Sequence, residues 1–169
     1  MILISIIMAG FFSGNPTNDL PTVDQVDMNR YAGLWYEIAR LPNSFEKGLE
    51  CVTANYILKA NGKIGVLNKG YSAKKEAFKT AKGKAWLPDD NYPGRLKVSF
   101  FWPFAGDYYI ISLDKDYTYA LVGDPSRKYL WVLSRAKELN DVTYSELMET
   151  ARVHGFEIDK MIRIQHKCN

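Results

Sequence analysis

Residues 129–135 read Tyr129-Leu130-Trp131-Val132-Leu133-Ser134-Arg135. Aromatic and branched residues dominate the run, which suits an extended strand far better than a helix. Tyr129, Trp131, Leu133 and Arg135 share one face, and Leu130, Val132 and Ser134 share the other. Both faces are partly apolar, so alternation alone does not say which one is internal. The same holds upstream, where Leu96, Val98 and Phe100 oppose Lys97, Ser99 and Phe101.

Outward from this run, strand candidates recur at roughly ten-residue spacing, the pattern of an all-β sandwich or barrel. They are Leu34–Leu41, Val52–Lys59, Ile64–Tyr71, Ala77–Leu87, Leu96–Phe101, Tyr108–Leu113, Tyr117–Val122 and Tyr129–Arg135, eight in all. Turn residues separate them. Asn61-Gly62 predicts a type I′ hairpin, with positive φ at both residues. Asp89 to Gly94, Asp114-Lys115-Asp116 and Gly123-Asp124-Pro125-Ser126 mark further turns. Connections this short join antiparallel neighbours. One helix follows. Thr143 is its expected cap, with Glu146 completing a capping box and Val142 forming a staple with Leu147. Tyr144, Leu147, Met148 and Ala151 form its apolar face and Gly155 its stop. A short strand, Met161–Ile164, ends the pattern. The expected architecture is an eight-stranded antiparallel up-and-down β-barrel with one C-terminal helix packed outside.

The chain has 169 residues, enough for one core. Its 22 basic and 19 acidic residues are interspersed, too balanced for a nucleic-acid footprint. Two cysteines exclude a disulfide-dense miniprotein and a four-cysteine zinc ribbon. Neither histidine, His154 or His166, has metal-ligand spacing. Glu37, Asp114 and Asp116 form no recognisable acid–base pair. No cofactor is implied. Aromatics make up 14% of the chain, consistent with β-structure around an apolar cavity.

Residues Ile2 to Phe12 are almost wholly apolar, and Ser13, Gly14, Asn15 and Pro16 follow. This is the pattern of a secretory signal peptide, assigned to residues 1–14. Residues 15–26 read as an N-terminal extension and residues 27–169 as the barrel domain. No cysteine precedes Cys51. The expectation is therefore an exported protein, periplasmic or envelope-associated, without an N-terminal lipid anchor.

Gly33-Leu34-Trp35-Tyr36-Glu37 resembles the first-strand G-x-W signature of the lipocalin family, and residues 129–135 resemble its closing motif. Gly123-Asp124-Pro125 departs from the family's usual middle motif. Asn68-Lys69-Gly70-Tyr71, Lys97-Val98-Ser99-Phe100-Phe101 and Tyr119-Ala120-Leu121-Val122 are similar to the bacterial outer-membrane branch, relatives of apolipoprotein D and plant temperature-induced lipocalins. The resemblance covers about residues 27 to 168. It implies that Trp35 and Arg135 close the fold by cation–π packing. It also implies an inward, ligand-binding set: Ala54, Tyr56, Val66, Asn68, Val98, Phe100, Tyr108, Ile110, Ala120, Val122, Trp131 and Leu133. A disulfide between Cys51 and Cys168 is implied on the same ground.

The expected function is non-enzymatic: storage or transport of a fatty acid or lysophospholipid, linked to envelope lipid maintenance, by a monomer or weak homodimer. Phe45 and Phe104 are expected at the rim. The alternatives are a lipid isomerase or hydrolase on the same barrel, with Cys51 as a candidate thiol, and an interaction module with a filled core. Lys74-Lys75, Lys79, Lys82 and Lys84 form a basic stretch, either a solvated face or a receiver for an anionic head group or membrane surface.

Overall fold

A single sheet closes on itself in the computed structural model of the chain, which describes residues 19–168. A short helix, α1 (Met28–Tyr31), leads into β1 (Gly33–Arg40). There follow β2 (Leu49–Leu58), β3 (Ile64–Ser72), β4 (Ala77–Trp86), β5 (Arg95–Phe101), β6 (Phe104–Leu113), β7 (Tyr119–Gly123) and β8 (Leu130–Ser134). Then come α2 (Asp141–Val153) and β9 (Ile162–Arg163). From β1 to β8 each strand pairs antiparallel with the next, and β1 pairs with both β2 and β8, which closes an eight-stranded barrel. The two-residue β9 adds to β1 at Ala39 and Arg40. Closure removes most of the sheet edges that would otherwise template pairing between chains, leaving β4 unpaired with β5 over residues 77–83.

Two hydrophobic clusters divide the protein. One lies inside the barrel. The other lies between the barrel wall and α2, where Leu147, Met148 and Ala151 pack on Ile38, Ala39, Leu121, Leu130 and Val132. Leu20 is fully buried in this outer cluster, and Val23 N–H donates to Ile110 O at 3.0 Å. The described part of the N-terminal extension, residues 19–26, is thus strapped to the wall. The signal-peptide assignment to residues 1–14 lies outside the described residues.

The structure corrects four local expectations. The hairpin at Asn61-Gly62 is not type I′: only Gly62 has positive φ, at 76°. Gly62 N–H donates to Lys59 O, and Lys59 N–H to Lys63 O, so the loop spans Ala60, Asn61 and Gly62 and takes its left-handed residue last. The cap of α2 is Asn140 rather than Thr143. Its side chain accepts from Thr143 N–H at 2.9 Å, so Thr143 is the third helical residue. The helix therefore starts earlier than expected, Val142 faces solvent, and the staple with Leu147 does not form. Strand β6 begins at Phe104 rather than Tyr108, and β7 at Tyr119 rather than Tyr117, which turns the chain at φ 61°. Gly155 does stop α2: Phe156 N–H reaches Ala151 O and Gly155 N–H reaches Arg152 O, a Schellman closure.

The disulfide joins Cys51 in β2 to Cys168 across 117 positions, fixing the C-terminal tail to the barrel. Both cysteines are consumed by it, so Cys51 offers no thiol for the enzymatic alternative.

Candidate ligand-binding site

Closure of the barrel assigns the faces. Leu130 and Val132 lie under α2, so Trp131 and Leu133 point inward. Eleven of the expected inward residues, all but Asn68, belong to the interior cluster or pack against it. Asn68 pairs with Ala54 and shares its inward side.

One end of the barrel is sealed. Loops between β2 and β3, β4 and β5, and β6 and β7 lie there, together with α1. Arg135 stacks over Trp35 at 3.8 Å from the ring centroid. Its guanidinium donates to the carbonyls of Leu34, Arg30, Ala32, Tyr31 and Tyr117 at 2.7–3.3 Å. A rigid fork with several donors can satisfy carbonyls left open by so short a helix; an ammonium could not. Gly33, at φ 95°, brings the strand under this fork, where a Cβ would sit 3.4 Å from Nη1 of Arg135.

Above this seal lies an aromatic floor. Trp35 Nε1–H donates to Tyr31 O at 2.8 Å. The hydroxyls of Tyr31, Tyr108 and Tyr56 form a chain, 2.7 Å and then 2.8 Å apart. Burial pushes all three phenols above their usual range, so they stay protonated and keep the chain intact. Ile110, Ala120 and Val122 have no exposed surface. The remaining void here is about 20 Å³, room for little more than a water. The floor is filled by the protein's own side chains.

The opposite half is different. In β3 and β4 the register runs without a break from Ile64↔Ala85 to Ser72↔Ala77, so Ala85, Gly83, Ala81, Lys79 and Ala77 share the inward face. Ala85 is buried, yet every residue from Ala77 to Lys82 is exposed. β4 pairs with β5 only from Lys84 to Trp86, so residues 77–83 run past the end of β5 and the β3–β4 hairpin projects beyond the closed wall at this end. Val98, Phe100 and Trp131, half-buried, lie between floor and mouth. Asn68 Oδ1 is buried and accepts no hydrogen bond among the described residues.

The sequence reading missed a charged group on the β1–β8 wall. Arg40 pairs with Trp131 across the strands, so both point inward. Arg40 Nη1 donates to Glu37 Oε1 at 2.6 Å, and Nη2 donates to Glu46 O and Leu49 O at 2.7 and 3.1 Å. Glu46 Oε2 accepts from Trp131 Nε1–H at 3.0 Å and from Asn43 Nδ2 at 2.6 Å. The loop of residues 41–48 is thereby folded over this side of the mouth, and Phe45 packs on Tyr129 and Trp131. Burial, and then the charge of Glu46, hold the Glu37 carboxyl well above the usual carboxylate range despite Arg40. The spacing of Glu37 and Arg40 gave no signal, because residues three apart on a regular strand face opposite ways.

A closed eight-stranded barrel with a sealed, aromatic floor and an external helix defines the lipocalin class. The model of the lipocalin-like domain matches residues 26–166, and the chain belongs to that family. It is 43% identical over 153 residues to the outer membrane lipoprotein Blc of Citrobacter freundii, covering 90% of this chain and 86% of that protein. It is 41% identical over 168 residues to the outer membrane lipoprotein Blc of Vibrio cholerae, covering 99% and 97%. The crystal structure of the cockroach allergen Per a 4 superposes with a TM-score of 0.69 at 25% identity, covering 87% of this chain and 93% of that one. The class is one of hydrophobic-ligand binding, not of enzymes, which removes the isomerase or hydrolase alternative.

The relatives also overturn one expectation. They are named outer membrane lipoproteins, a term for lipid-anchored chains, against an envelope protein without an anchor. That expectation rested on the lack of a cysteine ahead of Cys51, in a segment outside the described residues.

Proposed function

We propose that the upper half of the barrel, above the filled floor, is hollow and holds one amphipathic lipid, a fatty acid or lysophospholipid, with its tail against Val98, Phe100 and Trp131 and its head at the mouth. The protein would store or transfer that lipid in envelope lipid maintenance, as a monomer or weak homodimer. The observation that carries this reading is the buried, unpartnered Oδ1 of inward-facing Asn68, with the half-buried inward residues Val98, Phe100 and Trp131 above a filled floor. Transfer from water contributes about 0.8 kcal/mol per buried CH₂, so a ten-carbon tail is driven by roughly 8 kcal/mol before ordering costs. Tyr56, Tyr108, Ile110, Ala120, Val122 and Leu133 form the floor on which the tail ends, with Ala54 and Val66 beside them. Asn68 Oδ1 is the inward acceptor for a hydroxyl or amide of the ligand.

Native mass spectrometry of protein purified without detergent, with lysophospholipid and fatty acid titrations read by tryptophan quenching, tests this. A co-purified lipid, and quenching lost in Trp131→Phe, are expected. No bound lipid and no response to either titrant overturn the reading.

A further inference from the structure

The loops between β1 and β2, β3 and β4, β5 and β6, and β7 and β8 all lie at the open rim, because strand direction alternates around the barrel. At that rim the β5–β6 turn presents Phe101, Trp102 and Phe104 at 80%, 72% and 77% exposure. Three adjacent, exposed aromatics are unusual on a water-facing surface. They are not on a loose loop. Phe101 pairs with Phe104, and the buried Ser99 Oγ–H donates to Phe104 O at 2.6 Å, so the tip is braced from below. Phe45, also exposed, stands at the same rim.

Beside this tip lies a cationic wall. Lys69, Lys74, Lys75, Lys79, Lys82 and Lys84 occupy β3, β4 and the turn between them, Lys69, Lys82 and Lys84 on the outward face and Lys79 on the inward one, with Glu76 the single acid among residues 69–86. None of the six pairs with a carboxylate among the described residues. Lys84 Nζ sits 4.4 Å above the Trp102 ring, which joins the lysine row to the aromatic tip. Exposed aromatic rings next to unpaired lysines match the boundary of an anionic bilayer: rings settle among head groups and upper chains, and ammonium groups meet phosphates. A protein partner would need an acidic surface shaped to this tip; a bilayer needs only charge and an apolar layer.

We infer that the open rim docks on an anionic phospholipid surface, with Phe101, Trp102 and Phe104 inserted and Lys82 and Lys84 on the head groups. The mouth then faces the bilayer. The contact does not depend on what fills the barrel.

The test is co-sedimentation of the full chain with phosphatidylcholine vesicles and with vesicles containing phosphatidylglycerol. Any attachment through residues 1–18 is common to all variants of the same chain. Preference for phosphatidylglycerol, weakened by salt, is expected. Lys82→Ala with Lys84→Ala should lower the affinity roughly thirtyfold. Phe101→Ser with Trp102→Ser and Phe104→Ser should abolish the phosphatidylglycerol-dependent, salt-sensitive part of the binding, while the Trp131 quenching titration is unchanged. Equal binding to both vesicles, or variants that bind like the parent, overturns the proposal. So does a parent that dimerises through this tip, shown by loss of dimer in the aromatic variant. Loss of quenching with docking intact strikes the proposed ligand function alone.

Discussion

Glu37 and Arg40 form a buried ion pair on the inner wall of the barrel, 2.6 Å apart with each side chain 4% exposed. Taking two charges out of water is costly, and the pair is held by two further backbone acceptors on Arg40. Glu37 also lies near the charge of Glu46, whose carboxylate accepts from Trp131 and Asn43 while its backbone carbonyl accepts from Arg40.

The pH dependence follows in sign. The Glu37 carboxyl titrates higher in the folded chain than its ordinary value of 4.5. Between those two values the folded state keeps a proton that the unfolded state releases, so rising pH lowers stability. Its contribution is fully present below the unfolded pKa and is lost as pH rises through the folded one. Glu37→Gln keeps an acceptor for Arg40 but removes the titration. As pH rises above 4.5, urea midpoints of the parent should fall relative to those of E37Q. Parallel curves would refute the assignment.

Arg40→Met should be far worse than Glu37→Gln. It leaves the Glu37 and Glu46 carboxylates facing each other without a cation, and breaking a buried pair costs about 3–5 kcal/mol. Equilibrium denaturation at neutral pH measures this. The loss should shrink in acid, where Glu37 is protonated in both states.

Glu46 ties the 41–48 loop to Trp131. Glu46→Ala removes the acceptor for Trp131 and Asn43, and hydrogen exchange across residues 41–48 should quicken by roughly tenfold or more, the loss of one charge-assisted hydrogen bond. Glu46→Gln, which still accepts from Trp131 Nε1–H, should restore most of the protection.

Arg135→Lys keeps the charge at the sealed end but loses the fork over Trp35 and the carbonyls around it. A destabilisation of about 3 kcal/mol is expected. A thermal melt near that of the parent would show that charge alone closes this end.

Cys51→Ser with Cys168→Ser opens a loop of 117 positions. In the chain-entropy view this removes up to about 5 kcal/mol. The unfolding midpoint should drop accordingly, while β-sheet circular dichroism persists at low denaturant.

Much of this was legible in the residues themselves. Eight alternating segments with short turns specify an antiparallel meander, and the motifs at Trp35 and at residues 129–135 place its first and last strands. The helix was legible from Leu147, Met148 and Ala151, but not its start, because Asn140 and Thr143 are both good capping residues and the chain must choose. The hairpin at Gly62 shows the same limit: turn composition names the residues, while strand register decides how many of them the loop contains.

The sequence by itself determined the strands, their order and the inventory of apolar residues available for an interior. Tertiary structure decided what shares that interior. In a regular strand Glu37 and Arg40, three apart, would lie on opposite faces. The register shift between Glu37 and Ala39 against β8 inserts an extra residue and turns both inward. Only barrel closure, by pairing Arg40 with Trp131 and letting the 41–48 loop bring Glu46 over them, builds a charged latch beside an apolar interior.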